Sequence, residues 1–142
     1  MIHTHMPATL DRKFEKFLGG PTEAPEQRIY VSITKAGLIS LNAKCYRELG
    51  KPKAVFLHFS RLDDVIAVEP LDSDRYSASF PLRRNGSGWR ISAAPFCRHF
   101  GIWPNGSTER FLSPEIRDGV LQLKLSETVI INRPRRQRKE KA

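Results

Sequence analysis

The sequence predicts a mainly β fold with short helices, arranged as a small pseudo-symmetric barrel of intertwined halves. Three observations lead there. First, the chain of 142 residues carries an internal repeat: residues 37–50 and 88–101 are 14-residue frames bounded by glycine and set 51 residues apart. Arg47 and Arg98 hold the eleventh place of each frame, and Leu49 and Phe100 hold the thirteenth. Second, each frame is followed by β-rich runs, at 54–59 and 65–68 after the first and at 108–112 and 120–125 after the second. Third, the helices that fit inside the frames are too short to serve as βαβ crossovers, and the rest is too β-rich for a helix bundle. A repeat governs every other reading of a chain. Each half alone, at roughly 45–50 residues, buries too little surface to be stable, so two halves are expected to share one core.

The elements follow in order. Residues 1–28 form an arm in which Leu10, Phe14, Phe17 and Leu18 make one helical stripe, stopped by Gly19-Gly20-Pro21. The first unit, 29–70, opens with an alternating strand at 29–33 and a second strand at 38–41. Asn42 caps a two-turn helix over 43–49, with Cys45 and Leu49 on one face. Gly50 ends that helix, Pro52 forbids its continuation, and a hairpin turns about Arg61-Leu62-Asp63-Asp64. Residues 71–87 connect the units through a strand at 76–82 and a loose Arg83-Arg84-Asn85-Gly86-Ser87. The second unit, 88–131, repeats strand and helix, with Pro95 in the first helical turn and Gly101 as cap. Trp103-Pro104-Asn105-Gly106 is an insertion, and Ser113-Pro114 reads as the start of a helical turn. Residues 120–125 form the last strand of the unit and 129–131 an edge strand. Residues 132–142 are a basic, disordered tail.

Composition narrows the function. The formal net charge is +9, and the last eleven residues hold six of the basic side chains against one acid, Glu140. A mildly basic body with a strongly basic tail points to a polyanionic partner. No apolar stretch reaches the length of a membrane span, and no charged-then-apolar leader opens the chain, so the cytoplasm is the expected compartment. Cys45 and Cys97 read as free thiols packed as small hydrophobes. His3, His5, His58 and His99 have no metal-ligand spacing with them. No glycine-rich phosphate loop occurs, and Cys97, Arg98 and His99 lack an orienting acid, so no enzyme, cofactor or metal is expected.

The candidate nucleic-acid contacts are Arg47 and Arg98, by their matched frame position, with Lys35, Lys44 and Arg90 in the same part of their units. Arg83 and Arg84, beside a flexible stretch, are placed to reach around a backbone. Arg133, Arg135, Arg136 and Arg138 of the tail add sequence-independent affinity by counterion release. Trp89 reads as core and Trp103 as a loop residue for stacking or a protein contact. Double-stranded DNA is the expected partner. RNA or an acidic protein is the alternative partner. The alternative function is a non-catalytic β-rich protein-interaction or inhibitory module associated with a nucleic-acid machine, or an RNA-binding protein. A homo-oligomer is open.

The order of glycine, apolar strand, short helix ending in Leu49-Gly50 or Phe100-Gly101, then hairpin resembles the AbrB, SpoVT and MraZ transcription regulators. Asp118-Gly119-Val120-Leu121-Gln122-Leu123 matches that family's closing hairpin, and Asp63-Asp64-Val65-Ile66-Ala67-Val68 matches it more loosely. The resemblance covers about 95 residues, 29–125. It implies a swapped-hairpin β-barrel made from two tandem β-α-β-β units, and a DNA face built from the loops and helices after the first strands. Two family positions differ: the arginine after the first glycine is Leu38 or Trp89, and the proline before the helix is Asn42 or Ala93.

Overall fold

A computed structural model of the chain describes residues 28–104 and 108–131. The expected helix within 10–18 and the tail, with Arg133, Arg135, Arg136 and Arg138, lie outside the described residues. The elements are β1 (Val31–Thr34), β2 (Leu38–Leu41), α1 (Ala43–Glu48), β3 (Ala54–Ser60), β4 (Val65–Leu71), β5 (Phe80–Asn85), β6 (Gly88–Ser92), α2 (Ala94–Phe100), β7 (Thr108–Phe111), β8 (Glu115–Arg117), β9 (Val120–Lys124) and β10 (Thr128–Ile130). The strands form one curled antiparallel half-barrel in the order β10-β7-β1-β2-β6-β5-β3-β4-β9-β8.

Period-two alternation decides which side chains enter the core. Val31 and Ile33 of β1, Ile39 and Leu41 of β2, Ile91 of β6, Ile66 and Val68 of β4, and Leu121 and Leu123 of β9 are all buried, while their neighbours along each strand are not. The helices add Cys45, Phe96 and Cys97 to the same cluster. Asn42 caps α1 as expected: its Oδ1 accepts from the Cys45 N–H at 3.0 Å and from the Tyr30 N–H at 3.1 Å, and its Nδ2 donates to the Arg28 carbonyl. α2 has no side-chain cap, but Pro95 lies in its first turn and Gly101 closes it at φ +70°.

The first glycine of each frame sits where a hairpin meets the start of the helix in the other frame. A Cβ on Gly37 would stand 2.7 Å from Ala94 Cα at the start of α2, and one on Gly88 would stand 2.5 Å from the Leu41 carbonyl just before α1. Only glycine permits so close a backbone approach.

Four expectations are corrected. The connector strand begins at Phe80 rather than Tyr76 and runs through Arg83-Arg84-Asn85, so these residues are paired backbone and not a loose loop. Ser113-Pro114 starts no helix: Glu115–Arg117 is a strand, joined to β9 by Asp118-Gly119, both at positive φ, the pattern of a tight hairpin turn. The helix in the first frame ends at Glu48, with Leu49 as its cap, and Gly50 follows at φ +95°. The fourth concerns the spacing of the frames. At 51 residues Ile39 falls on Arg90, yet Ile39 is buried and Arg90 faces outward, and an odd slip exchanges the two faces of a strand. In the sheet Ile39 is paired with Ile91, both fully buried, and Cys45 and Cys97 are the fully buried thiols of the two helices. Matched by burial, the frames lie one residue further apart than the sequence suggests.

Candidate nucleic-acid interface

The face of the sheet turned away from the core carries a row of registered side chains. Arg83 of β5 is opposite Arg90 of β6, Arg90 is opposite Ser40 of β2, Ser40 is opposite Ser32 of β1, Ser32 is opposite Arg110 of β7, and Arg110 is opposite Val129 of β10. Arg83, Arg90, Ser40, Ser32 and Arg110 each flank a core residue (Leu82, Ile91, Ile39, Ile33 and Phe111) and so point outward, and Val129 shares that face by its pairing with Arg110. Four inter-strand spacings separate Arg83 from Arg110, about 19 Å.

No carboxylate faces outward among the described residues of these six strands. Their one acid, Glu109, lies on the inner face with Phe111, where its Oε1 accepts from the Thr128 hydroxyl at 2.9 Å. The ion pairs among the described residues are Lys44–Glu48 at 3.0 Å, His58–Glu69 at 2.9 Å and Arg117–Glu115, so none of the row arginines is neutralised in this way. The Nε atoms of Arg90 and Arg110 are buried without a hydrogen-bond partner among the described residues. An unpaired buried donor costs about 1–3 kcal/mol. Arg110 also lies 5.6 Å over the Tyr30 ring, which fixes its direction.

The other sequence candidates are placed separately. Lys35 is exposed in the turn between β1 and β2, two residues before Gly37, whose backbone meets the start of α2. Arg84, next to Arg83 but on the opposite face, lies 5.2 Å over Trp89, which stacks on Tyr46 of α1 at 4.1 Å. Trp89 is therefore a half-buried link between α1 and the sheet. Lys44 is paired within α1, and Arg47 and Arg98 are exposed on the two helices. Counted from the buried thiol of each helix, Arg47 stands two residues on and Arg98 one, a difference of about 100° in direction. The row thus joins Arg83 and Arg90 from the candidate set with Arg110, Ser32 and Ser40, which sequence reasoning missed. The alternation of Arg110 against Phe111 was a signal that it points outward.

No nucleophile is assembled among the described residues. Burial, and then the nearby Glu48 charge, push the Cys45 thiol up to about 12, and burial raises Cys97 as well. Both therefore stay protonated and unreactive at neutral pH. A groove of about 400 Å³ lies between Phe59, Arg61, Phe100 and Trp103, with Arg61 5.0 Å over Phe100. No group of three or more His, Cys, Asp or Glu suited to a metal occurs among the described residues, and no described helix is long and apolar enough to cross a membrane.

Compared with protein-family models, with curated proteins and with solved structures, the chain gives no match.

Proposed function

We propose that this chain is a DNA-binding regulator that acts by occupancy, contacting a duplex through the outer face of β5, β6, β2, β1 and β7. The observation that carries the reading is the row of Arg83, Arg90 and Arg110 on a face to which the described residues of its strands bring no carboxylate. Arg90 and Arg110 are three strand spacings apart, about 14 Å, with the small Ser32 and Ser40 between them. The major groove is about 12 Å wide. Arginines at that separation suit phosphates on its two rims, and guanidinium groups grip phosphate bidentately. The serines lie over the groove, where hydroxyls read base edges. The six basic residues of the tail add charge-driven affinity.

In this reading the sheet is pseudo-symmetric about the β2–β6 seam, two tandem units that exchange hairpins as in the AbrB, SpoVT and MraZ regulators. Three features support it. The β1–β2 hairpin pairs with β7, which follows the second helix, and the β5–β6 hairpin pairs with β3, which follows the first. The seam pairs Ile39 with Ile91. The glycines 37 and 88 make reciprocal close contacts across it. The β8–β9 hairpin is then an addition that extends the first unit's β4.

The test is a salt titration of duplex binding by the wild type and by the Arg83→Ala, Arg90→Ala, Arg110→Ala triple variant, with single-stranded DNA and structured RNA as competitors. Removing one arginine–phosphate interaction lowers the slope of log affinity against log salt by about 0.9. A slope reduced by roughly 2–3, with the melting temperature retained, supports the reading. An unchanged slope removes the row from the interface, and stronger binding to RNA or single strands than to duplex transfers the function to those partners.

A further inference from the structure

The half-barrel ends in two edges that are built differently. β8 is short and carries Glu115 and Arg117, which pair with each other, as protected edge strands do. β10 at the other end carries no charge, and Val129 and Ile130 are 41% and 47% exposed, with Leu112 of the adjoining turn at 53%. These are half of the exposed large apolar side chains among the described residues. The Leu112 N–H donates to the Glu127 carbonyl and the Ile131 N–H to the Thr108 carbonyl, so the odd-numbered residues of this segment face β7. By the alternation of an antiparallel ladder, the N–H and C=O groups of Thr128 and Ile130 face the open side. The corresponding outer edge of β4 is covered by β9 over Val65–Val68.

We propose that β10 is the contact between two copies of this chain, pairing antiparallel about a twofold axis at Val129. The arrangement is self-complementary. Thr128 of each copy exchanges both backbone hydrogen bonds with Ile130 of the other, which satisfies every free backbone group of the strand. Val129 meets its own counterpart as a non-hydrogen-bonded pair on the outer face. The absence of charge in β10 and its exposed valine and isoleucine fit an identical strand better than a charged partner. The two sheets become one, and the Arg110 side chains of the two copies stand three strand spacings apart, about 14 Å. This pairing does not depend on nucleic-acid binding, so the two can fail separately.

A Val129→Cys variant tests the axis directly. Opposite residues of a non-hydrogen-bonded pair have Cα atoms about 4.5 Å apart, within disulfide reach, and the native Cys45 and Cys97 are buried and do not compete. Under mild oxidation without nucleic acid, Val129→Cys is expected to become mainly a covalent dimer, at least tenfold faster than Leu62→Cys, a fully exposed control. Adding Ile130→Pro removes an open-side donor without touching the β7 ladder, and should abolish the cross-link while circular dichroism stays native. Cross-linking no faster than the control, or unaffected by the proline, overturns the proposal. So does a monomer in which the thiol introduced by Val129→Cys resists alkylation, because a segment such as 1–27 then covers the edge.

Discussion

The two halves of the sheet contribute alike to the core and differ in charge. One half, β10-β7-β1-β2-β6-β5, buries Val31, Ile33, Ile39, Leu41 and Ile91. With its hairpin turns it carries Lys35, Arg83, Arg84, Arg90 and Arg110 against Glu109 alone. The other, β3-β4-β9-β8, buries Val55, Ile66, Val68, Leu121 and Leu123. Its strands and turns carry Asp63, Asp64, Glu69, Glu115 and Asp118 against Arg61, Arg117 and Lys124. Folding needs the apolar alternation that both halves share, and it does not need their charges sorted. A surface shaped for solubility alone intersperses the two signs. Under the proposed function the sorting serves recognition, and the basic half is the one expected to meet the polyanion.

The largest expected effect comes from reversing the basic half. Arg83→Glu, Arg90→Glu and Arg110→Glu together should lower duplex affinity more than 100-fold at physiological salt, since phosphate recognition is strongly charge-dependent. Asp63→Asn, Asp64→Asn and Asp118→Asn on the other half should leave affinity within about threefold or raise it. Asparagine is the right replacement because Asp64 and Asp118 have φ of 60° and 54°, a region asparagine tolerates. Fluorescence anisotropy with one labelled duplex compares both variants, and equal losses would break the contrast.

Next is the seam of the basic half. Gly88→Ala drives a methyl group against the Leu41 carbonyl and should cost about 2–3 kcal/mol in urea denaturation. Gly86→Ala meets nothing within 4 Å and pays only for its φ of +63°, about 1 kcal/mol. Equal costs would mean that the contact at the seam is not tight.

A smaller effect concerns pH. The Cys45 thiol is raised in the folded state from 9.0 to about 12, so the stability gained by burying it neutral is complete below pH 9 and is lost as pH rises towards 12. The urea midpoint of the wild type should fall between about pH 8 and 10.5 more steeply than that of Cys45→Ala. Parallel curves would contradict the burial. Least of all, Glu48→Gln, which breaks the exposed pair with Lys44, should change stability by about 0.5 kcal/mol or less.

Local chemistry was legible in the sequence. Asn42 as cap, Pro95 in the first turn of its helix, the hairpin between Ser60 and Val65, and an edge strand near Val129 follow from single residues and short patterns. Strand pairing across long separations was not. Arg83-Arg84-Asn85 has a loop's composition, and only its partners Arg90, Trp89 and Gly88 make it a strand. The frame spacing went astray by one residue because the glycines and arginines align at 51, while burial, which residue identity alone does not reveal, aligns Ile39 with Ile91 and Cys45 with Cys97. Arg110 joins the candidate interface because β7 pairs with β1, far earlier in the chain, and no local pattern specifies that register.

The most direct measurement is chemical-shift mapping of the isotope-labelled full chain titrated with a short DNA duplex. The backbone amides of Ser32, Ser40, Arg83, Arg90 and Arg110 should shift together with increasing duplex, while those of Asp63, Asp64 and Asp118 stay in place. Shifts concentrated on the acidic half, or on α1 and α2 around Arg47 and Arg98 with the row unmoved, would contradict the account.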